Sequence, residues 1–284
     1  MVARLVAVLA FLGAGLVLAG CAGRDTGKPS AFVEGTSVHT LSVGGHDRTY
    51  RLHKPTGLPA SAPLVVMLHG GFGTDAQAER SYGWDELADS SKFVVAYPDG
   101  LNRAWNVNGG GCCGRPAKQG IDDVGFITAA VADIKRNVSI DASRVYATGM
   151  SNGGIMSYTL ACDTSIFAAI GPVSGTQLDP CRSPHPLSVM TIHGTKDPLV
   201  PYGGGPGRGF AHINGPSVPE SNAFWRKVDQ CHTPVETTSG SVTTSTAGCP
   251  DNRSVVLVTV DGGGHHWPDF ATAKLWQFFA AHPH

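Results

Sequence analysis

The fold follows from the stretch VYATGMSNGG, residues 145–154. It opens with a short run of strand-forming side chains, and a helical pattern begins at Asn152. Gly149 and Gly153 flank Ser151, and residues without a Cβ atom permit a sharp turn between strand and helix. Such a turn lifts the Ser151 hydroxyl above the carboxyl end of the strand. The sequence therefore predicts a strand–turn–helix unit with a serine at its turn.

Further strand-length apolar runs surround this unit, at residues 64–68, 93–97, 168–173, 189–192 and 255–260. They are continuous rather than alternating, which is typical of parallel strands buried on both faces. Helical patterns lie between them, at residues 123–137, 152–161, 220–228 and 272–281. This alternation predicts an α/β fold, with a mostly parallel, doubly wound sheet and helices on both faces. A β-hairpin around Gly44-Gly45 is expected ahead of it.

Composition and charge exclude several classes of protein. The 284 residues are 42% hydrophobic and carry a formal net charge of −1. Nucleic-acid-binding proteins usually show a basic excess, so nucleic acid is not an expected partner. We find no internal repeat, and no linker interrupts the α/β pattern after residue 36. We therefore expect a single domain over residues 37–284.

Residues 1–20 have the pattern of an export signal. An apolar run of about 14 residues suits a signal peptide and is short for a bilayer span of about 20. It ends in LAGC, and the small residues ahead of Cys21 resemble the lipobox of bacterial lipoproteins. That resemblance implies a lipidated Cys21 that anchors the chain to the outer face of the cell membrane, with residues 21–36 as a tether. An ordinary cleavable signal, and release from the cell, are the alternatives.

Six other cysteines remain if Cys21 is lipidated, and an even number in an exported chain indicates disulfides. Cys231 and Cys249 bracket a Thr/Ser-rich stretch that can turn back on itself, so we favour this pair. Cys162 with Cys181 is the second choice. A zinc site is the alternative, but no CxxC pair with partner histidines occurs, and we expect no metal.

A serine nucleophile needs a base, and the base needs an acid to hold it. In hydrolases with a G-x-S-x-G turn these residues follow in the order Ser, Asp or Glu, His. Asp197 lies just past the strand at 189–192 and is the candidate acid, with a turn-forming Asp before proline as the alternative. The base should follow the last strand, where three glycines precede His265 and His266. The residues alone leave both histidines open.

The oxyanion of such a reaction needs two backbone N–H donors. Asn152, directly after Ser151, supplies one. The second is expected from Gly71 or Phe72, in a glycine-rich turn after the strand at 64–68. A turn without this role is the alternative.

Some weaker candidates are aromatic or acidic. Trp105 and Asn106 follow the strand at 93–97 and are candidates to line a substrate pocket, with packing as the alternative for Trp105. Trp267, beside the two histidines, is a third pocket candidate. Asp122 and Asp123 precede a helix, and we interpret them as N-capping residues rather than as a metal pair.

Several blocks, in this order along the chain, resemble one family. They are LHGGFGT, AWN, IDDVGFI, GMSNGG, FAAIGPVSG, HGTKDPLVPY and GGGHHWP. Over residues 40–280 the chain is similar to the poly(3-hydroxybutyrate) depolymerase and feruloyl esterase family, a carbohydrate-esterase-like branch of the α/β-hydrolase superfamily. The resemblance implies ester hydrolysis through a serine acyl-enzyme, with no metal or organic cofactor.

The same resemblance implies the role of each site residue. It matches Ser151 with the nucleophile and Asp197 with the acid, and it places the base directly after the glycines, at His265. Two positions depart from the family pattern: His266 stands where a small residue is more usual, and Asp269 where glycine is usual.

The sequence thus predicts an exported, lipid-anchored serine esterase. Its substrates would be small or polymeric esters of hydroxyalkanoate, feruloyl or acetyl groups. Its partners would be that ester and, through Cys21, the membrane. An acyltransferase that uses the same acyl-enzyme and a non-catalytic surface binding protein are the two alternatives.

Overall fold

The computed structural model describes residues 31–107, 114–209 and 213–284. The strands are β1 Gly35–Val43, β2 His46–Lys54, β3 Ala62–Leu68, β4 Val94–Pro98, β5 Ile140–Met150, β6 Ala169–Val173, β7 Ser188–Gly194, β8 Gly205–Pro206, β9 Asn214–Gly215, β10 Val235–Ser239, β11 Val242–Gly248 and β12 Ser254–Val260. The α-helices are α1 Asp75–Ser81, α2 Trp84–Ser91, α3 Arg115–Gln119, α4 Asp123–Asn137, α5 Asn152–Asp163, α6 Val218–Val228 and α7 Ala271–Ala281. A 3-10 turn covers Leu101–Arg103.

Ten of these strands form one sheet, in the order β1-β2-β4-β3-β5-β6-β7-β12-β11-β10. The six strands from β4 to β12 in this order run parallel to one another. Antiparallel pairs extend the sheet at both edges. The predicted mostly parallel α/β fold is confirmed. The continuous apolar runs are its physical cause, since every residue of β3, β4, β6 and β7 is buried.

Helices cover both faces of the sheet, as predicted. Residues of α4, α5 and α6 pack in one hydrophobic cluster, and residues of α1, α2 and α7 in the other. The bounds of α4 agree with the apolar periodicity, and the Asp122 side chain caps the helix by accepting from the Gly125 N–H (2.7 Å). In the predicted hairpin Gly44 and Gly45 take φ of 59° and 78°, a turn that glycine adopts without strain.

Two parts of the fold carry no clear periodic signal. Helices α1 and α2 are seven and eight residues long, too short for a repeated apolar face, and they bury only Ala78, Trp84 and Ala88. Strand β10 is exposed at every residue, so its sequence does not alternate. The Thr/Ser-rich stretch does turn back on itself, because β10 and β11 form an antiparallel pair.

Both predicted disulfides are confirmed. Cys231 is bonded to Cys249, which joins the chain on the two sides of the β10–β11 pair. Cys162, near the end of α5, is bonded to Cys181.

The predicted signal, the lipobox with Cys21 and most of the tether lie outside the described residues. Within the described ranges, no helix is both long enough and apolar enough to cross a bilayer. The same ranges contain no group of three or more His, Cys, Asp or Glu side chains that would suit a metal ion. The single-domain interpretation stays a prediction.

Candidate active site

Ser151 occupies the sharp turn between β5 and α5. Its backbone has φ 54° and ψ −117°, a combination that a residue with a Cβ atom rarely adopts. The turn is held on both sides, because the Ser151 N–H donates to the Val173 carbonyl (2.8 Å) and its carbonyl accepts from the Ile155 N–H (2.9 Å). The Ser151 hydroxyl does not cap the helix. A strained serine is thus presented at the carboxyl ends of the central strands.

The glycines around the serine are required by close backbone contacts. A Cβ atom on Gly149 would lie 2.5 Å from the carbonyl carbon of Gly153. A Cβ atom on Gly153 would lie 2.3 Å from the Leu68 carbonyl oxygen. The prediction that glycine permits this turn agrees with the packing.

Asp197 follows β7, and its carboxylate is fully buried. Its Oδ1 accepts the N–H groups of Leu199 and Val200 (both 2.9 Å). Its Oδ2 lies 2.8 Å from His265 Nδ1 and 3.3 Å from His193 Nε2. Burial acts to raise the pKa of Asp197, but hydrogen bonds from His193, His265 and the Val200 N–H outweigh it and hold this pKa well below its ordinary range. The carboxylate is therefore ionised beside the His265 ring.

The loop after β12 brings His265 to this acid through backbone contacts. The Lys196 N–H donates to the Gly263 carbonyl (2.8 Å), and a Cβ atom on Gly194 would lie 2.3 Å from that same oxygen. His266, the alternative base, is exposed, and its carbonyl accepts from the Ser174 hydroxyl (3.2 Å). His265 is thus the histidine that pairs with Asp197, as the family resemblance implies.

The end of strand β6 connects this loop to the serine. Val173, its last residue, accepts the Ser151 N–H, and Ser174, the next residue, contacts the His266 carbonyl. The turn of Ser151 and the loop of His265 therefore lie against the same strand end.

The structure treats the three predicted oxyanion donors, Asn152, Gly71 and Phe72, differently. Asn152 is the first residue of α5, and its side chain is locked because Oδ1 accepts the Trp105 N–H (2.7 Å). The Phe72 N–H donates to the Arg103 carbonyl (2.7 Å), so the prediction of Phe72 as an oxyanion donor is wrong. Gly71 remains as the candidate, and within the described ranges no backbone carbonyl accepts its N–H.

Trp105 was expected to line a substrate pocket, and this prediction is wrong. The residue is fully buried, and its indole N–H donates to the His69 carbonyl (2.8 Å). His69 is buried too: its Nδ1–H donates to the Gly70 carbonyl (2.8 Å), and its Nε2 accepts the Gly100 N–H (2.9 Å). Burial lowers the pKa of His69 to about 4, so this ring is a neutral bridge between two loops.

A buried ion pair, which sequence reasoning missed, supports the loop that carries Trp105 and Asn106. Arg48 Nη2 donates to Asp123 Oδ1 (2.6 Å), with both side chains buried. The other carboxylate oxygen accepts the Asn106 N–H (2.7 Å). Asp123 is therefore a partner of Arg48 and Asn106 rather than the N-cap, a role that Asp122 fills alone. The only signal in the sequence is the second aspartate, since one cap suffices.

The remaining pocket candidates are Asn106 and Trp267. Asn106 is half-buried, and its side-chain amide donates to the Ile121 carbonyl (2.9 Å). Trp267 is half-buried, its ring lies 4.7 Å from that of Tyr82, and its indole N–H donates to the Thr272 hydroxyl (3.0 Å). Their contact with a substrate stays a prediction.

Comparison with known proteins agrees with this geometry. Residues 48–200 match the model of the family described as Esterase PHB depolymerase. Feruloyl esterase C of Emericella nidulans is 30% identical over 250 residues, which cover 82% of this chain and 84% of that protein. A protein of Aspergillus flavus named "Probable feruloyl esterase C" is 32% identical over 273 residues, with 90% of each chain covered.

The solved structures extend the likeness of the fold. The acetyl xylan esterase from Aspergillus awamori superposes with a TM-score of 0.66 at 16% identity, over 86% of this chain and 99% of that one. At this identity the likeness bears on the fold alone. With the family match and the two relatives, we conclude that the chain belongs to the esterase PHB depolymerase family of α/β-hydrolases and is a carboxylic-ester hydrolase.

Proposed function

We propose that this hydrolase is a serine esterase in which Ser151 is the nucleophile, His265 the general base and Asp197 the acid. The observation that carries the proposal is the 2.8 Å hydrogen bond between His265 Nδ1 and Asp197 Oδ2 at the same sheet edge as the strained Ser151 turn. With Nδ1 bonded to an ionised carboxylate, His265 Nε2 is the ring nitrogen left to accept the serine proton.

The reaction proceeds in two halves. His265 takes the Ser151 proton as the serine oxygen attacks the ester carbonyl, and the Asp197 carboxylate stabilises the imidazolium that forms. The N–H groups of Asn152 and Gly71 hold the oxyanion, and such donors typically contribute about 3–4 kcal/mol each to transition-state stabilisation. His265 then protonates the departing alcohol. Water, activated by the same imidazole, releases the acid and restores Ser151.

The proposed substrates are feruloyl and acetyl esters of polysaccharides, with aryl acyl groups preferred. The names of two relatives and of the structural neighbour support this range. Side chains beside the site support the aryl preference, because the Phe72 ring is 50% exposed and the half-buried Trp267 ring lies tilted against that of Tyr82. Exposed aromatic rings suit the binding of a flat aromatic acid. Hydroxyalkanoate oligomers remain in the range of test substrates.

We further propose that the chain is exported and anchored by a lipid on Cys21. The apolar run that ends in LAGC supports this location. The two disulfides support export, because such bonds persist in oxidising compartments.

Hydrolysis by the purified protein and its Ser151→Ala variant tests the proposed chemistry. The substrates are p-nitrophenyl esters of short and medium chain length, methyl ferulate, acetylated xylan and hydroxybutyrate oligomers. We expect turnover that Ser151→Ala abolishes, with methyl ferulate ranked above the acetyl esters. Ser157→Ala, which removes a serine six residues further along, within α5, is the matched control and should keep its activity.

Labelling with a fluorophosphonate probe separates the possible failures. Labelled but inactive protein would indicate another acyl donor or an acyltransferase. Retained activity in Ser151→Ala would reject the assignment of the nucleophile, and a folded protein without labelling would leave the surface binding protein as the better interpretation.

A further inference from the structure

A second imidazole contacts Asp197 Oδ2, the same carboxylate oxygen that bonds to His265. His193, in β7, is fully buried, and its Nε2 lies 2.8 Å from the Val200 carbonyl and 3.3 Å from Asp197 Oδ2. Both neighbours are hydrogen-bond acceptors, so Nε2 carries a proton and donates. His193 Nδ1 is buried and has no hydrogen-bond partner in the part of the chain that the structure describes.

The lack of a hydrogen-bond partner at Nδ1 among the described residues determines which tautomer the His193 ring adopts. A second proton there would be a buried donor without an acceptor, which folded proteins avoid because the lost hydration is not replaced. The geometry therefore selects the neutral imidazole with its one proton on Nε2. In this form the single Nε2–H is shared by the Val200 carbonyl and the Asp197 carboxylate, and the ring adds no charge to the site.

We propose that His193 is a positioning residue of the esterase, which holds the Asp197 carboxylate in place and shares that carboxylate with His265. The inference rests on the proposed roles of Ser151, His265 and Asp197. By contacting both Asp197 and the Val200 carbonyl, the ring spans the loop on which the acid sits. No role for His193 follows from the catalytic steps themselves.

The other titratable groups near this contact are few. The Tyr202 ring lies edge-on to His193 (6.1 Å between centroids), and its hydroxyl is within 2.8 Å of the Thr259 hydroxyl. The charged and titratable side chains of the surrounding loops are exposed: Lys196, Arg208, Asp261 and His266. Within the described residues, the titratable groups that face the carboxylate directly are thus the two imidazoles.

Sharing the carboxylate has a consequence for the base. Each hydrogen bond that Oδ2 accepts draws charge from it, so a second donor weakens its hold on a protonated His265 ring. Without the His193 N–H, the imidazolium form of His265 becomes more stable. The neutral form, which accepts the serine proton, then persists only at higher pH.

The test is the pH dependence of Ser151 labelling by a fluorophosphonate. This labelling requires the neutral form of His265, and it can be measured without knowing the natural ester substrate. In the full-length His193→Leu variant, which removes the N–H, the acidic limb of the labelling rate should move up by roughly half a pH unit or more. His193→Gln, whose amide N–H is a donor, should restore the wild-type profile. Tyr202→Phe, in which the ring packed against His193 loses only its hydroxyl, is the matched control and should leave the acidic limb of the labelling rate in place.

A purely structural role for His193 would lower the rate equally at every pH. An unmoved or lowered acidic limb in His193→Leu therefore overturns the proposal. The wild-type protein offers a second measurement that does not depend on variants, because the ¹⁵N chemical shifts of the His193 ring report its tautomer. We expect the Nε2–H form, and an Nδ1–H form overturns the proposal as well. A wild-type protein that does not label would instead reject the proposed function, and this inference with it.

Discussion

Replacing Ser151 with glycine should make the protein more stable than replacing it with alanine. Both substitutions remove the hydroxyl, but alanine keeps the Cβ atom in a backbone conformation of φ 54° and ψ −117°. Such a conformation costs about 1–3 kcal/mol for a residue with a Cβ atom. Glycine loses about 0.5–1 kcal/mol more chain entropy on folding than alanine does. The net expectation is a free energy of unfolding about 0–2.5 kcal/mol larger for Ser151→Gly than for Ser151→Ala.

Urea or thermal unfolding of the two variants measures this difference. For a domain of this size, 1 kcal/mol corresponds to a shift in Tm of about 2–4 °C. The control is Ala132→Gly on the exposed side of α4, where the backbone is helical and the order should reverse by about 1 kcal/mol.

The sign of the comparison refutes or supports the reasoning. If Ser151→Gly is less stable than Ser151→Ala by the amount found at Ala132, the turn stores no strain. The tight contacts of Gly149 and Gly153 would then not force the serine backbone into its unusual conformation.

Two further predictions concern the anchor and the dependence of stability on pH. Cys21→Ser should move the protein from the membrane fraction to the soluble fraction and abolish incorporation of labelled palmitate, and membrane retention with label would contradict the anchor. Burial raises the pKa of Asp229 to about 7 against the opposing charge of Arg253, and Asp229 Oδ2 has no partner among the described residues. The folded state therefore holds this proton up to higher pH than the unfolded state, so its stabilising effect, complete below about pH 4, is lost as pH rises to 7. Asp229→Asn should remove this loss of stability, which is at most about 1.4 kcal/mol per pH unit. Urea unfolding at pH 5 and pH 7.5 measures it, and an equal change in the free energy of unfolding between these pH values in the wild type and in Asp229→Asn would contradict the prediction.

The parallel sheet, the sharp turn at Ser151 and the candidate acid Asp197 were predictable because each depends on local sequence, whereas the choice of His265 over His266 came from the family resemblance. Continuous apolar runs mark strands buried on both faces, and the glycines around Ser151 mark a turn that no larger residue can form. Asp197 lies three residues past the end of β7, and His265 lies five residues past the end of β12. In a parallel sheet the carboxyl ends meet at one edge, so order along the chain was enough to place these residues together.

The errors lie where the function of a residue depends on which distant group occupies its polar atoms. The loop HGGFG permits either Gly71 or Phe72 to donate to an oxyanion, but the Arg103 carbonyl, more than 30 positions further along the chain, takes the Phe72 N–H. Trp105 is an aromatic residue of the kind that often lines a pocket. In the structure its indole N–H donates to the His69 carbonyl and its backbone N–H to the Asn152 side chain, so the residue is held in the interior.

Local pattern thus predicted the class of fold and the order of the proposed catalytic residues, because those features lie in runs of neighbouring residues. The number and spacing of the cysteines favoured the two pairs that the structure confirms. Three-dimensional packing alone selected the partners of the buried polar groups, such as Arg48 with Asp123 and His193 with Asp197. The physical reason is desolvation: a polar atom removed from water must find an acceptor or donor wherever the fold brings one, and the sequence does not record that distance.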